Sequence, residues 1–148
     1  MNEFQIKISK MITDYQEYSF FYGKASEINV PEIESILKFS LPESYKWYIC
    51  TYGSGGLDGT DIFGVTKIGS FQMIEATNDY KEHGIPDNLI VIEDLGEYIY
   101  CLDLNRMKND ECPVVNWSMN DNDGVIDKYD NFYEFIISRF SDTIENLE

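Results

Sequence analysis

Apolar residues near the start of the chain recur at helical spacing. They follow an i, i+4, i+7, i+8, i+11 pattern and are Phe4, Ile8, Met11, Ile12 and Tyr15. This spacing places their side chains on one face of a helix. We therefore predict an amphipathic helix over residues 3–17 that packs on the core, with Asn2 as its N-cap.

The most organised passage of the chain begins at Ser40. Ser40 and Glu43 have the spacing of a capping box, and Pro42 stands where a missing N–H costs least, so a helix is predicted to begin here. Its apolar face consists of Leu41, Tyr45, Tyr48, Ile49 and Tyr52. Gly53 is predicted to end this helix. A glycine-rich loop follows, and residues 60–64 are predicted to form a short strand.

Three further helices are indicated by capping and turn residues. Asn29 and Glu32 repeat the capping-box spacing and predict a short helix before the central one. Residues 73–83 predict another short helix that a glycine closes. Either Asp130 or Asn131 can cap a final helix. The apolar residues of that helix are Phe132, Phe135, Ile136 and Phe140.

Apolar, aromatic and β-branched runs predict three strands, which lie at residues 89–93, 98–102 and 114–117. Residues 94–97 suit a tight hairpin between the first two strands, and residues 105–112 are a polar loop. The aromatic stretch 18–23 lacks a clean period and is either a short edge strand or an extended connection. Strands between helices, in 148 residues, predict one α+β domain over 1–148, with a mainly antiparallel sheet and helices packed on one side.

Several short motifs follow one another in a fixed order. They are Leu-Pro-x-x-Tyr-Lys-x-Tyr from Leu41, Tyr-Gly-x-Gly-Gly from Tyr52, Ile-Phe-Gly from Ile62, and the runs at 89–94, 98–103, 113–117 and 131–136. Together, over residues 26–140, they resemble the signature of the SUKH superfamily, and in particular its SUKH-1 type. This superfamily comprises bacterial immunity proteins against polymorphic toxins, related to a fungal cell-wall assembly regulator. The resemblance implies an α+β fold of the kind predicted above.

Acidity is the strongest compositional feature, with a formal net charge of −16. Residues 1–74 carry six Lys/Arg against nine Asp/Glu, and residues 75–148 carry five against eighteen, so the excess lies in the second half. Such a field repels nucleic acid and anionic membranes and accelerates association with a basic protein. The composition leaves open a simpler use of the same charge, which is to keep a small domain in solution.

The cysteines and the N-terminal residues indicate a reducing compartment. Cys50, Cys101 and Cys112 are an odd number at predicted helix and strand positions, which favours reduced, partly buried thiols. The first ten residues lack the apolar stretch of a signal peptide, and no run approaches the ~20 apolar residues that span a bilayer. We therefore expect a cytoplasmic protein.

The patterns that could carry chemistry are incomplete. His83 is the only histidine, and no cysteine stands at a metal-ligand spacing from it. The glycine-rich loop lacks the Lys of a phosphate-binding loop. Residues 120–124 resemble part of a calcium loop, but Met119 and Asp130 do not fit its first and twelfth positions, which leaves weak cation binding open. We expect no enzymatic activity, no cofactor and no resident metal.

The resemblance implies an immunity protein that binds and neutralises a cognate toxin. Many such toxins are nucleases, whose basic grooves would attract a carboxylate-rich surface that mimics phosphate. We predict that this surface consists of acidic residues in loops with two aromatic anchors. They are Asp58, Asp61, Glu93, Asp94, Glu97, Asp121 and Asp123, with Tyr98 and Trp117 as the anchors. For each carboxylate, a merely solvated surface position is the alternative.

Two other functions stay open from the sequence. One is a regulatory scaffold that binds an endogenous protein, as the fungal members of the superfamily imply. The other is a small hydrolase that uses His83 and a carboxylate. We expect neither nucleic acid nor a membrane as a partner, since Tyr98, Tyr100 and Trp117 lack the basic surround of a base-stacking platform.

Overall fold

The computed structural model describes residues 1–24, 27–118 and 124–147 as an α+β fold, which confirms the predicted class. The helices of these residues are α1 (Glu3–Asp14), α2 (Val30–Leu37), α3 (Glu43–Tyr52), α4 (Gln72–Lys81) and α5 (Phe132–Leu147). The strands are β1 (Ser19–Phe21), β2 (Gly55–Leu57), β3 (Leu89–Asp94), β4 (Ile99–Asp103), β5 (Val114–Trp117) and β6 (Val125–Tyr129).

All strand pairs of the described residues are antiparallel. The strands β3, β4, β5 and β6 form a four-stranded sheet in that order, and β1 pairs with β2. The segment after β2 ties the two sheets together. Ile62 bridges to Gly55, and the Phe63 N–H donates to the carbonyl of Ile92 on β3 at an N···O distance of 2.8 Å.

Each face of the four-stranded sheet carries its own buried cluster, because successive strand residues point to opposite faces. Helices α1, α3 and α5 pack on the face that presents Ile90 and Leu102. Helix α4 lies against the edge strand β3, where the Thr77 hydroxyl accepts from the Val91 N–H at 2.9 Å. The second cluster, which α4 covers with Ala76 and Tyr80, contains Ile85, Leu89, Val91, Ile99, Cys101, Val115 and Trp117.

The start of α3 differs from the predicted capping box. The helix begins at Glu43 with Pro42 in the N-cap position, so Ser40 lies too early to reach its free N–H groups. A distant residue supplies the cap instead. The Glu111 carboxylate accepts from the Ser44 N–H at 3.0 Å and from the Ser44 hydroxyl at 2.5 Å. The loop before β5 therefore fixes the start of the central helix.

The other predicted caps are local and agree with the structure. Asn2 accepts from the Gln5 N–H while the Gln5 side chain accepts from the Asn2 N–H, which completes a capping box. Asn29 caps α2, and Asn131 rather than Asp130 accepts from the Glu134 N–H at the start of α5.

Two strand predictions are refined by the structure, and one strand was not predicted. The stretch 18–23 contains the short strand β1, whereas residues 60–64 form only the bridge at Ile62. The strand β2 lies earlier, within the glycine-rich loop. Its close approach to β1 requires glycine at position 55, because a Cβ there would come within 2.2 Å of the Phe20 carbonyl oxygen. Strand β6 was not predicted, because its residues are almost all exposed and show no apolar alternation.

We expect the substitution E111A to lower the free energy of unfolding by about 1–2 kcal/mol, since it removes the acceptor at the start of α3. Denaturant unfolding followed by circular dichroism measures this change. The control is E145A, at an exposed position near the end of α5, which should stay within about 0.5 kcal/mol of the parent. Equal losses in both variants would contradict the capping role.

Candidate functional site

A buried ion pair joins β3 to α5. The Glu93 carboxylate, 1% exposed, accepts from Nε of Arg139 at 2.8 Å and from its Nη2 at 2.9 Å. The same guanidinium reaches the carbonyl of Gly59 at 3.4 Å and lies 5.9 Å from the ring centroid of Tyr100. This two-bond geometry satisfies both carboxylate oxygens in the interior, where an unpaired charge would be costly.

A β-bulge turns Glu93 toward α5. The register between β3 and β4 pairs Val91 with Cys101 but Glu93 with Tyr100, so Ile92 is the extra residue. In a regular strand without the bulge, Glu93 would continue the alternation of Val91 and face the α4 side. Because of the bulge it shares a face with Tyr100, directly below Arg139. The sequence predicted Glu93 in an exposed loop, and the structure corrects this because the residue is buried and already paired.

Asp61 is a second carboxylate near this pair, with no arginine of its own in the described chain. Its Oδ1 atom is buried and makes no hydrogen bond within the described residues, while Oδ2 accepts a 3.4 Å bond from the Tyr22 hydroxyl. Burial raises the pKa of Asp61, and burial, with a smaller contribution from the nearby Asp61 charge, raises the pKa of Glu93. Asp61, Glu93 and Arg139, which we call the ion-pair cluster, thus carry one net negative charge when ionised.

Exposed aromatic rings lie beside the ion-pair cluster. Phe20 on β1 and Tyr22 just after it, 38% and 49% exposed, contact edge to face, with ring centroids 5.7 Å apart. Tyr18 is also exposed, and its carbonyl accepts from the Asp58 N–H at 2.8 Å. We call Tyr18, Phe20, Tyr22, Asp58 and Asp61 the acidic–aromatic face.

A pocket of about 340 Å³ adjoins this face, between the loop after β2 and the end of α5. Asp58 and Asp142 contribute carboxylates to it, and Arg139 and Thr143 also line it. Since Arg139 is paired with Glu93, the charge that the pocket offers is mainly negative. An arrangement of carboxylates beside aromatic rings suits contact with a basic protein surface.

The remaining predicted residues gather at the β3–β4 hairpin. Asp94 and Glu97 are exposed, and the Tyr80 hydroxyl donates to Asp94 at 2.7 Å. Burial raises the pKa of Tyr80 to about 12. Trp117 is only 6% exposed and packs against Tyr80, so it belongs to the second core cluster and does not serve as an exposed anchor.

Tyr98 is half-buried and contacts the ring of Tyr100 edge to face, at 5.6 Å between centroids. Asp58 and Asp61 thus both contact the residues that flank β1, Tyr18 and Tyr22, whereas the exposed Asp94 and Glu97 lie at the hairpin. Asp121 and Asp123, and with them most of the calcium-like segment at 120–124, lie outside the described residues.

Sequence reasoning missed the aromatic part of the face. Phe20 and Tyr22 lie in a stretch whose only signal was a cluster of rings without helical period. Alternate aromatic positions in an edge strand could have indicated exposed rings, because the other side of such a strand must face the core. Arg139 could not have been linked to Glu93, since 46 residues separate them.

The described residues contain no group of three or more His, Cys, Asp or Glu side chains arranged to hold a metal ion. His83 is exposed beyond the end of α4, where its ring lies 6.0 Å from that of Tyr80. Cys101 and Cys112 are buried free thiols, and Cys50 is an exposed one. Within the same residues, every helix is too short or too polar to cross a bilayer.

Comparisons with known proteins place this geometry in context. A family model described as SUKH_5, SMI1-KNR4 cell-wall, matches residues 8–141, which confirms the predicted superfamily. A solved structure, the crystal structure of a protein from Pseudomonas syringae pv. tomato, is similar with a TM-score of 0.57. The two sequences are 20% identical, and the match covers 84% of this chain and 92% of that chain. At this identity the likeness shows a shared fold alone.

We expect R139M to lower the free energy of unfolding by about 3–5 kcal/mol, because it leaves the Glu93 carboxylate buried without its partner. The double variant E93L/R139M should recover most of that loss, since no buried charge remains. Urea unfolding of the single and double variants measures both effects.

The control for this cycle is K10M, which removes the exposed ion pair between Lys10 and Asp14. It should change the free energy of unfolding by no more than about 1 kcal/mol. A double variant as unstable as R139M would contradict the proposed origin of the loss.

The pH dependence of stability follows from three partly or fully buried carboxyl groups. Burial raises the pKa of Asp61, Glu93 and Glu111, so the folded chain binds these protons more tightly than the unfolded chain. The free energy of unfolding should therefore fall as pH rises from the ordinary carboxyl pKa of about 4 toward neutrality. Arg106 lowers the pKa of Asp127, so this carboxyl group changes the free energy of unfolding only at pH values below the ordinary carboxyl pKa.

Thermal unfolding at about pH 5 and about pH 7 should accordingly give the higher Tm at the lower pH. In D61N the difference between the Tm values at the two pH values should shrink, because one of the three buried carboxyl groups no longer titrates. D79N, at an exposed position on α4, is the matched control and should keep the parental difference. A parental Tm that is higher at neutral pH would contradict the sign of these shifts.

Proposed function

The chain belongs to the SUKH family, and we propose on that basis that it acts as an immunity protein, which binds a toxin and carries out no reaction itself. Membership of the family supports an immunity or regulatory role in general. The finer assignment, to a cytoplasmic protein that neutralises one cognate polymorphic toxin, is our inference.

One observation carries this proposal more than any other: the acidic–aromatic face joins exposed rings to carboxylates at the surface. Aromatic residues supply most of the binding energy at many protein interfaces, and charges around them select the partner and accelerate association. Phe20 and Tyr22 provide the rings, and Asp58 and Asp61 provide the charge. The exposed Asp94 and Glu97 at the hairpin form a second acidic region that extends the field.

A nuclease is the toxin class that this charge suits best. Enzymes that cleave nucleic acid bind phosphates with Lys and Arg, and a surface of carboxylates competes for the same side chains. The net charge of −16 extends this attraction to long range, where it steers a basic protein into contact.

A regulatory scaffold for an endogenous protein is the second candidate. The description of the matching family model as SMI1-KNR4 cell-wall favours it, since it refers to a cellular process and not to a toxin. The same face would serve such a partner. A gene without a toxin gene beside it would support this alternative.

Co-expression with the toxin encoded next to the gene of this chain tests the immunity function. We expect the toxin alone to stop growth, the pair to grow normally, and the two proteins to elute from a sizing column as one complex. Continued toxicity together with separate elution would contradict the proposal.

Charge variants then test where the toxin binds. The triple variant D58N/D61N/D142N removes three carboxylates around the acidic–aromatic face and should weaken protection. The triple variant E75Q/D79N/E82Q removes the same charge from exposed positions on and just after α4 and should protect like the parent. If both variants protect fully, the function stands and the toxin binds elsewhere.

A further inference from the structure

The strand β1 presents the densest group of exposed rings in the described chain. Of the exposed large apolar or aromatic side chains, Tyr18, Phe20 and Tyr22 fall within five residues, with Phe20 on β1, Tyr18 just before the strand and Tyr22 just after it. Among the described residues β1 pairs with β2 alone, and the alternation of an antiparallel ladder turns the N–H and carbonyl of Phe21 away from β2. Exposed rings along an outer strand are typical of a surface that another chain covers.

The charges around β1 are arranged unevenly. Asp58 and Asp61 lie beside Tyr18 and Tyr22 respectively, and the nearby Arg139 is committed to Glu93. The basic residues of this region lie beyond the strand. Lys24 donates to the carbonyl of Cys50 at 2.9 Å, and the stem of Lys67 lies beside Gly23. The surface next to Phe20 and Tyr22 therefore offers negative charge to a partner.

Asp61 is the residue that free-chain stability does not explain. One oxygen is buried without a hydrogen bond to any described residue, its neighbour Glu93 accepts from Nε and Nη2 of Arg139, and the Tyr22 hydroxyl supplies only a long contact. An uncharged side chain of the same shape would avoid this cost. A charge kept at such a place in a folded chain suggests that it is satisfied in a complex.

We propose that the acidic–aromatic face binds an extended basic segment of the protein partner, with a Lys or Arg side chain lying across Phe20 and Tyr22 and paired with Asp61. The aromatic rings attract the cation through their faces, and the carboxylate fixes its position. This inference rests on the proposed function, which it deepens by naming the docking surface and the chemistry that the surface recognises.

A defined peptide tests the surface without the toxin. The probe is acetyl-Lys-Val-Arg-Val-Lys-Val-Arg-amide, and the control peptide carries Glu in place of each Lys and Arg. Titration into the ¹⁵N-labelled full chain should shift the amide signals of residues 18–22 and 55–61 with the basic peptide only. No binding, or shifts spread evenly over acidic regions such as 94–97 and 127, would overturn the proposal.

Two matched variants separate binding from folding. D61N should bind the basic peptide about fivefold more weakly than the parent, the ratio that corresponds to about 1 kcal/mol, and its Tm should equal or exceed the parental value. D79N makes the same charge change on α4 and should bind within about twofold of the parent. Equal affinity for D61N and the parent would overturn the role of Asp61.

A ring variant gives a second, independent measure. F20S leaves every charge in place. It should lower the affinity for the basic peptide by a similar factor, while the amide spectrum stays that of a folded chain. Parental affinity in F20S would overturn the role of the rings.

The outcome separates this inference from the proposed function. If D61N binds the purified toxin as tightly as the parent does, and the parent neutralises that toxin, the docking surface is wrong and the immunity function stands. If the peptide binds at this face but the toxin is not neutralised, the surface stands and the immunity function is wrong.

Discussion

The fold around the candidate site depends on one irregularity in one strand, the bulge that places Glu93 under Arg139. Because Ile92 is the extra residue, Glu93 faces α5 and the Ile92 carbonyl accepts the N–H of Phe63. The first contact fixes α5 over the sheet, and the second ties the β1–β2 pair to the edge of β3. Since both charges are desolvated, the arrangement holds only while each has its partner.

The features that could be predicted from the sequence are those whose physical cause is local. Asn2, Asn29 and Asn131 cap their helices through bonds that span three residues, so local sequence predicted Asn2 and Asn29 and narrowed the last cap to Asp130 or Asn131. The cap of α3 comes from Glu111, which lies 67 residues from Ser44, and no local pattern contains it. In the same way, a bulge has no signature in the residues of β3, and Glu93 looked like a hairpin acid for that reason.

A charge count alone does not select the face that we propose as the binding site. The acidic excess lies in residues 75–148, yet the acidic–aromatic face is built from the first half of the chain. What distinguishes this face is that exposed rings lie beside carboxylates. To recognise it, one must know that alternate side chains along residues 18–22 are exposed. Trp117, the most conspicuous aromatic residue of the predicted set, is buried in the core, because the alternation along β5 turns its side chain toward the second cluster.

The position of Asp61 connects the stability of the chain to association with a partner. A carboxylate on an open surface loses its hydration when a partner covers it, and this loss opposes the gain from pairing. One oxygen of Asp61 is already buried in the free chain, so part of that loss is incurred on folding and not on binding. If Asp61 pairs with a cation of the partner, as we propose, a site prepared in this way lowers the stability of the free chain and raises its affinity for that cation. The cost in the free state and the gain in the complex then have the same physical origin.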